Sequence, residues 1–305
     1  MRKPVPSSLR ICLCLALLYL SWGGSFLGMK FALGGFPPVF QNGIRLCFAG
    51  AVMLMLLPFT HHGRLSGIRE LGHYVVLAFF IMFMNNVCQA VGQQTVPSGV
   101  TALLYGTVPL FMILGDWLIL KGPRPDRGQT FALVGASLGM AILTLGGSSE
   151  MRGDAFGIFV ILLGVFCFVA GSLYARRFLS SPGLSLYGGL AVNMLFGGLM
   201  SLAASGLMGE RCDFSEMTFS SLTGMIFLTV FTSVIGYFCY YWLLVRTRTL
   251  VAVSFAYIDP VIAVVLGALF GGESLSTAIV FSCVLIVVSV IIGMNSEGGQ
   301  RRRTR

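Results

Sequence analysis

The sequence predicts an all-α polytopic membrane bundle of ten transmembrane helices, arranged as two inverted five-helix repeats. Three observations carry that reading: an apolar composition, basic residues confined to every second loop, and an internal repeat. Of the 305 residues, 56% are hydrophobic and 10% are charged, and the mean hydropathy is +0.88. An ordinary soluble domain carries about 25% charged residues, so this chain has too little polar surface to cover a water-soluble globule. Its apolar runs reach the ~20 residues that cross ~30 Å of hydrocarbon as a helix. They are continuous rather than alternating, which selects helices over a closed barrel.

The first span reads as 11–33. Arg2, Lys3 and Arg10 precede it as they would precede a signal-peptide core. The apolar run nevertheless continues through Trp22 and Phe26 without a small-residue cleavage site, which marks a span and not a cleaved leader. The following spans read as 38–59, 72–92, 98–120, 128–146, 155–175, 184–207, 222–245, 249–270 and 275–294. Connections are short, so the spans form one bundle with no sizeable soluble domain.

With the N-terminus inside, the cytoplasmic segments hold Arg2, Lys3, Arg10, Arg64, Arg69, Lys121, Arg124, Arg127, Arg176, Arg177, Arg246, Arg248, Arg301, Arg302, Arg303 and Arg305. That leaves Arg152 and Arg211 outside, beside Glu150, Asp154, Glu210, Asp213 and Glu216, with Lys30 and Arg45 in or near spans. The asymmetry follows the positive-inside rule and puts both ends in the cytoplasm. It also accounts for the net charge of +9 without nucleic acid as a partner. The short loops fit a bacterial inner membrane.

The repeat aligns Cys88 with Cys239 and Pro109 with Pro260 at a constant offset. Gly24-Ser25 aligns with Gly171-Ser172 at a slightly shorter one. Five spans per half is an odd number, so the second half is inverted in the membrane. Inverted repeats are the architecture of many secondary transporters, whose substrate sites lie at the repeat interface. The first repeat reads as 11–147, the second as 155–294, and a basic cytoplasmic tail as 295–305.

The chain resembles the EamA-like part of the drug/metabolite transporter superfamily. The resemblance lies in Ser21-Trp22-Gly23-Gly24-Ser25-Phe26, in Pro37-Pro38 leading to Arg45-Leu46, in the 251–260 segment, and in Gly271-Gly272-Glu273. It implies a central cavity lined chiefly by spans 3, 4, 8 and 9. It also implies transport of small metabolites, amino acids or drugs, often outward. One departure stands out. The Gly-Glu pair after the fourth span of a repeat is present at Gly272-Glu273, whereas the first half reads Lys121-Gly122-Pro123.

Asp259 is the first candidate site residue, about ten residues into span 9 and so roughly 15 Å deep. An intramembrane acid costs at least ~2.5 kcal/mol on insertion scales and faces a cavity or a partner. It reads as a substrate-ammonium ligand, a proton-coupling carboxylate or a structural partner inside the bundle. Pro260 follows it and frees the carbonyl of Ala256. Arg45, at ~12 Å depth by the same rise, is its natural counter-charge. Asn85, Gln89 and Gln93 form one stripe on span 3, and the repeat mates of Asn86 and Gln89 are Tyr237 and Tyr240. Trp22, Tyr105 and Tyr257 are further lining candidates, and Pro109 and Pro260 are candidate helix hinges.

Asp116 is expected to reach Lys121 or headgroups, and His61, His62 and His73 to sit in one solvated loop. The eight cysteines show no metal-ligand spacing, and no cofactor is expected. The pairs Gly24 and Gly28, Gly135 and Gly139, and Gly267 and Gly271 allow close helix approach, within the bundle or in a homodimer.

No phosphate-cradling Gly-x-x-x-x-Gly-Lys-Ser/Thr motif is present, so ATP hydrolysis by this chain is excluded. The expected function is a secondary carrier, an exporter of amino acids, amines or related compounds working by alternating access, with protons as a candidate coupling ion. The alternatives are a membrane-embedded enzyme, against which stands the absence of His-Glu-x-x-His and Gly-x-Ser-x-Gly motifs, and a channel or sensor without carrier activity.

Overall fold

The computed structural model describes residues 8–59, 68–122, 124–146, 154–178, 186–247, 249–270 and scattered positions between 277 and 292. Among the described residues every regular element is helical. In lipid, each backbone N–H and C=O must be satisfied within its own segment, which leaves helices as the solution for these sequences. The helices are α1 (Ser8–Leu33), α2 (Pro38–Phe59), α3 (Glu70–Gly92) and α4 (Ser98–Leu118), then α5 (Arg127–Gly146). They continue with α6 (Ala155–Phe178), α7 (Tyr187–Met208) and α8 (Phe219–Arg246). The ninth, α9, runs as Thr249–Val253 and Phe255–Phe270, and an apolar stretch, Val280–Ser289, follows. His61, His62, Pro123, Gly271-Gly272-Glu273, Cys283 and the 295–305 tail lie outside the described residues.

The outward faces are apolar. Leu13, Leu17 and Leu20 of α1, Phe48 and Met55 of α2, and Phe159 and Phe166 of α6 are all exposed. In water such a surface would be a liability; in hydrocarbon it needs no polar cover. The interior is the more polar side, with Gln41, Asn42, Arg45, Asn85, Asn86, Gln89, Asn193 and Asp259 buried.

Small residues let the helices approach closely. Between α2 and α7, a Cβ at Gly43 would lie 2.9 Å from the backbone nitrogen of Leu202, and one at Gly198 would lie 2.8 Å from that of Cys47. Between α1 and α8, a Cβ at Gly224 would lie 2.7 Å from the Gly28 carbonyl oxygen, and Gly24 and Gly28 both face Phe227. The Gly24 and Gly28 pair is thus used inside the bundle.

The two halves share a feature that the sequence did not announce. Residues Ala78–Met84 of α3 and Leu228–Gly236 of α8 are π-helical. The offset of 151 residues that carries Cys88 onto Cys239 carries 78–84 onto 229–235, inside the second π segment. π-Helical turns are rare and concentrate at functional sites.

The fourth helix of each repeat is interrupted, but not at matching points. In α4 the break falls at Gly106 and Thr107, and Pro109 sits in the first turn of Val108–Leu118. There its missing N–H removes no helical hydrogen bond. In α9 the break falls at Ser254, and Pro260 lies inside Phe255–Phe270, where it leaves the Ala256 carbonyl without its usual donor.

Two expectations are corrected at the cytoplasmic-facing ends of the sequence reading. His73 is helical, stacked on Phe178 at 3.8 Å between ring centroids and hydrogen-bonded to the Tyr174 hydroxyl. The imidazole takes aromatic partners from α6 in place of solvent. Asp116 pairs with Arg176 of α6 at 3.7 Å, where Lys121 or headgroups had been expected. Lys121 itself adopts a positive φ of 54° as the chain turns out of α4.

Candidate functional site

A cavity of about 380 Å³ lies where α1, α3, α4, α6, α8 and α9 meet, near the lower end of the ~300–1,000 Å³ typical of small-molecule pockets. These are three repeat-related pairs: α1 with α6, α3 with α8, and α4 with α9. Helix geometry places the lining. On α1, Trp22, Ser25 and Phe26 fall on one face at i, i+3 and i+4. On α3, Asn85 and Gln89 are one turn apart, with Asn86 beside them. Tyr105 enters from α4, Phe168 from α6, Thr232 and Tyr237 from α8, and Phe255 and Asp259, again one turn apart, from α9.

The π-helical segments border this cavity and shape its polar wall. Asn85 and Asn86 directly follow the first, and Tyr237 directly follows the second. The Asn86 side-chain amide donates to the carbonyls of Ile81 at 2.8 Å and Met82 at 3.1 Å. Met82 also accepts from Asn42 of α2 at 3.2 Å. In the second half, the indole N–H of Trp22 donates to the carbonyl of Thr232 at 3.2 Å, and the Thr232 hydroxyl donates to the Ser21 carbonyl at 3.2 Å. Widened turns hold carbonyls that side-chain donors take up, which satisfies backbone groups buried in apolar surroundings.

A second layer holds the wall rigid. The guanidinium of Arg45, 1% exposed, donates through Nη2 to Asn42 Oδ1 at 2.8 Å and to Asn86 Oδ1 at 2.7 Å. Asn86 in turn donates to the Tyr237 hydroxyl at 2.7 Å. The Tyr105 hydroxyl donates to Asn85 Oδ1 at 2.7 Å. Gln89 donates to Gln93 at 3.1 Å, and Gln93 to the Phe26 carbonyl at 3.2 Å. Charge-assisted bonds such as those of Arg45 are the stronger members of such a network.

Aromatic rings form the opposite wall. Trp22 meets Phe255 at 4.5 Å between centroids with perpendicular planes. It meets Tyr237 at 5.2 Å, Tyr240 at 5.1 Å and Phe168 at 5.9 Å. Edge-to-face pairs of this kind each contribute ~0.5–1.5 kcal/mol beyond area burial.

Asp259 differs from every other polar group in the wall. It is 2% exposed, lines the cavity, and its Oδ1 has no hydrogen-bond partner. The expected pairing with Arg45 is absent among the described residues: Arg45 spends its Nη2 on two amides of α2 and α3.

Six of the nine sequence-derived site residues therefore line one cavity: Trp22, Asn85, Gln89, Tyr105, Tyr237 and Asp259. Three stand behind it. Arg45 braces Asn86, Tyr240 donates to Ser172 of α6 at 2.7 Å, and Tyr257 is buried with an unpartnered hydroxyl. The cavity also takes in Ser25, Phe26, Phe168, Thr232 and Phe255. Ser25 and Phe26 lie in the Ser21–Phe26 motif, which was a usable signal. Phe168 and Phe255 sit in uniformly apolar helices, where an inward ring carries no mark in the sequence.

Both halves match one family: the EamA-like transporter family, over residues 9–145 and 155–294. The chain belongs to that family. It is a membrane transporter of the ten-helix, two-repeat type. The inner membrane transporter YedA of Escherichia coli strain K12 is 29% identical over 280 residues, covering 90% of this chain and 87% of YedA. The transporter YvbV of Bacillus subtilis is 23% identical over 98% of this chain and 96% of its own length. The protein PagO of Salmonella typhimurium is 24% identical over 93% of this chain and 91% of its own length. A protein of known crystal structure, 19% identical, shares the fold with a TM-score of 0.73 over 94% of this chain and 96% of that one.

Proposed function

We propose that this chain is a secondary carrier that exports amines, amino acids or related small metabolites by alternating access. The observation that carries the proposal is the position of the cavity, on the meeting line of three repeat-related helix pairs, with a buried carboxylate facing into it. Two inverted halves around one site can exchange conformations, and each exchange presents the site to the opposite side of the membrane. The interrupted α4 and α9 and the π-helical parts of α3 and α8 are the elements able to absorb that movement. The chain works without catalysis in this reading, since the cavity wall offers no nucleophile with a base beside it.

The basic loops support cytoplasmic termini, and the likeness to an inner membrane transporter supports a bacterial inner membrane. A proton is the coupling ion this site can accommodate, held by Asp259 in exchange for substrate.

The test is a paired metabolite profile, inside and outside cells, for wild type, Asp259→Asn and empty vector at matched expression. Export predicts one solute class that accumulates outside with wild type and not with Asp259→Asn. Equal export by both variants would remove Asp259 from the mechanism, and unchanged pools in all three would defeat export of a common metabolite.

A further inference from the structure

We propose that the cavity selects organic cations with an apolar or aromatic body, and discriminates against zwitterions and anions of the same shape; this rests on the carrier reading above and narrows its substrate class. Three observations on the cavity wall lead there.

The charge balance is one-sided. Asp259 supplies a carboxylate whose Oδ1 has no partner, and among the described residues no Lys, Arg or His lines the cavity. Arg45 lies behind the wall, and its Nη2 is committed to Asn42 and Asn86. A bound cation therefore completes an ion pair that the protein leaves open, while a bound carboxylate finds no fixed positive charge. An uncompensated ion in a low-dielectric site is strongly disfavoured, and a paired one is not.

The neutral donors are also spoken for. Gln89 donates to Gln93, and Asn86 donates to Tyr237 and two backbone carbonyls. Asn85 Oδ1 accepts from Tyr105. A substrate carboxylate would have to break these bonds to be solvated.

The body of the cation has a matching surface. Trp22, Phe255, Phe168 and Tyr237 all line the cavity, with the Trp22 and Phe255 planes perpendicular at 4.5 Å. Ring faces within ~6 Å attract an ammonium group, most strongly when both are desolvated. The carboxylate fixes the charge, and the rings accept what surrounds it.

Three probes of one shape decide the matter: phenethylamine, phenylalanine and 3-phenylpropionate, which are cation, zwitterion and anion. Binding to the purified full-length chain is followed by the fluorescence of its tryptophans and by thermal shift. Counterflow is measured in proteoliposomes. The expected result is phenethylamine binding at least about tenfold tighter than phenylalanine, no binding of phenylpropionate, loss of amine binding in Asp259→Asn, and retention in Asp259→Glu. Phenylalanine binding as tightly as the amine would overturn the proposal, as would amine binding undiminished in a folded Asp259→Asn. Counterflow of phenylalanine without amine binding would overturn the cation assignment and leave the carrier reading intact. Asp259-dependent amine binding with no counterflow of any probe would uphold the site and defeat the carrier reading.

Discussion

Trp22 and Thr232 hold each other across 210 residues of sequence: the indole N–H donates to the Thr232 carbonyl at 3.2 Å, and the Thr232 hydroxyl donates to the carbonyl next to Trp22, that of Ser21, also at 3.2 Å. This reciprocal clasp ties α1 of the first repeat to the π-helical turn of α8 in the second, at the edge of the cavity.

Trp22→Phe keeps an aromatic wall but removes the indole donor, leaving the Thr232 carbonyl buried and unpaired. The expected cost is about 1–3 kcal/mol, read as a lowered midpoint of thermal unfolding in detergent. Thr232→Val, which breaks the other half of the clasp and leaves a Ser21 carbonyl that already sits in a helix, should cost less. Equal losses would show that the two bonds do not differ as described.

Asn86 serves as acceptor for Arg45 and donor to Tyr237. Asn86→Leu takes a partner from a buried guanidinium and from a buried phenol at once. It should destabilise the protein by roughly 2–3 kcal/mol. Tyr237→Phe, which removes only the neutral partner, should cost about 1 kcal/mol. Denaturation of the purified protein at matched detergent concentration separates the two.

Gly236 and Gly72 make a paired test of packing against propensity. A Cβ at Gly236 would overlap the indole nitrogen of Trp22, whereas one at Gly72 meets nothing within 4 Å. Gly236→Ala should displace Trp22, lower stability and reduce transport. Gly72→Ala should leave transport unchanged and be neutral or stabilising by up to ~1 kcal/mol through helix propensity. Flux and unfolding midpoint of both variants check it.

Glu210 lies at the end of α7 and accepts from the backbone N–H groups of Val39 at 3.2 Å and Phe40 at 2.8 Å. Its carboxylate caps the first turn of α2, where unpaired donors and the positive end of the helix dipole favour an anion. Glu210→Ala should cost about 1 kcal/mol, measured as hydrogen exchange at residues 39–41 rising ahead of the rest of α2. Uniform protection would argue against the cap.

The spans and their repeat were legible because hydropathy and loop charge are summed over many residues, so no single side chain decides them. Asp259 was legible for the opposite reason: one acid in an apolar run is conspicuous. Arg45 was conspicuous too, but its partners were not. Depth placed it near Asp259, while the choice of Asn42 and Asn86 depends on which faces of α2 and α3 meet, and that is set by Gly43 and Gly198 seating α2 on α7. Phe168 and Phe255 could not be told from lipid-facing rings. The π-helical turns left no residue signature, since the same side chains would have served an α-helix.

Those turns carry an implication for chain length. A π-helical segment takes more residues per turn than an α-helix, so residues 228–236 contain slack that an α-helical path would not need. Deleting one residue there lets the segment tighten towards α-helix while turning all that follows by about 100°. Tyr237 would leave the cavity wall, and the helix would survive. Elsewhere in the spans a deletion has no such reserve to draw on, so 78–84 and 228–236 are the two stretches where a shortened chain should still insert and fold yet lose its substrate.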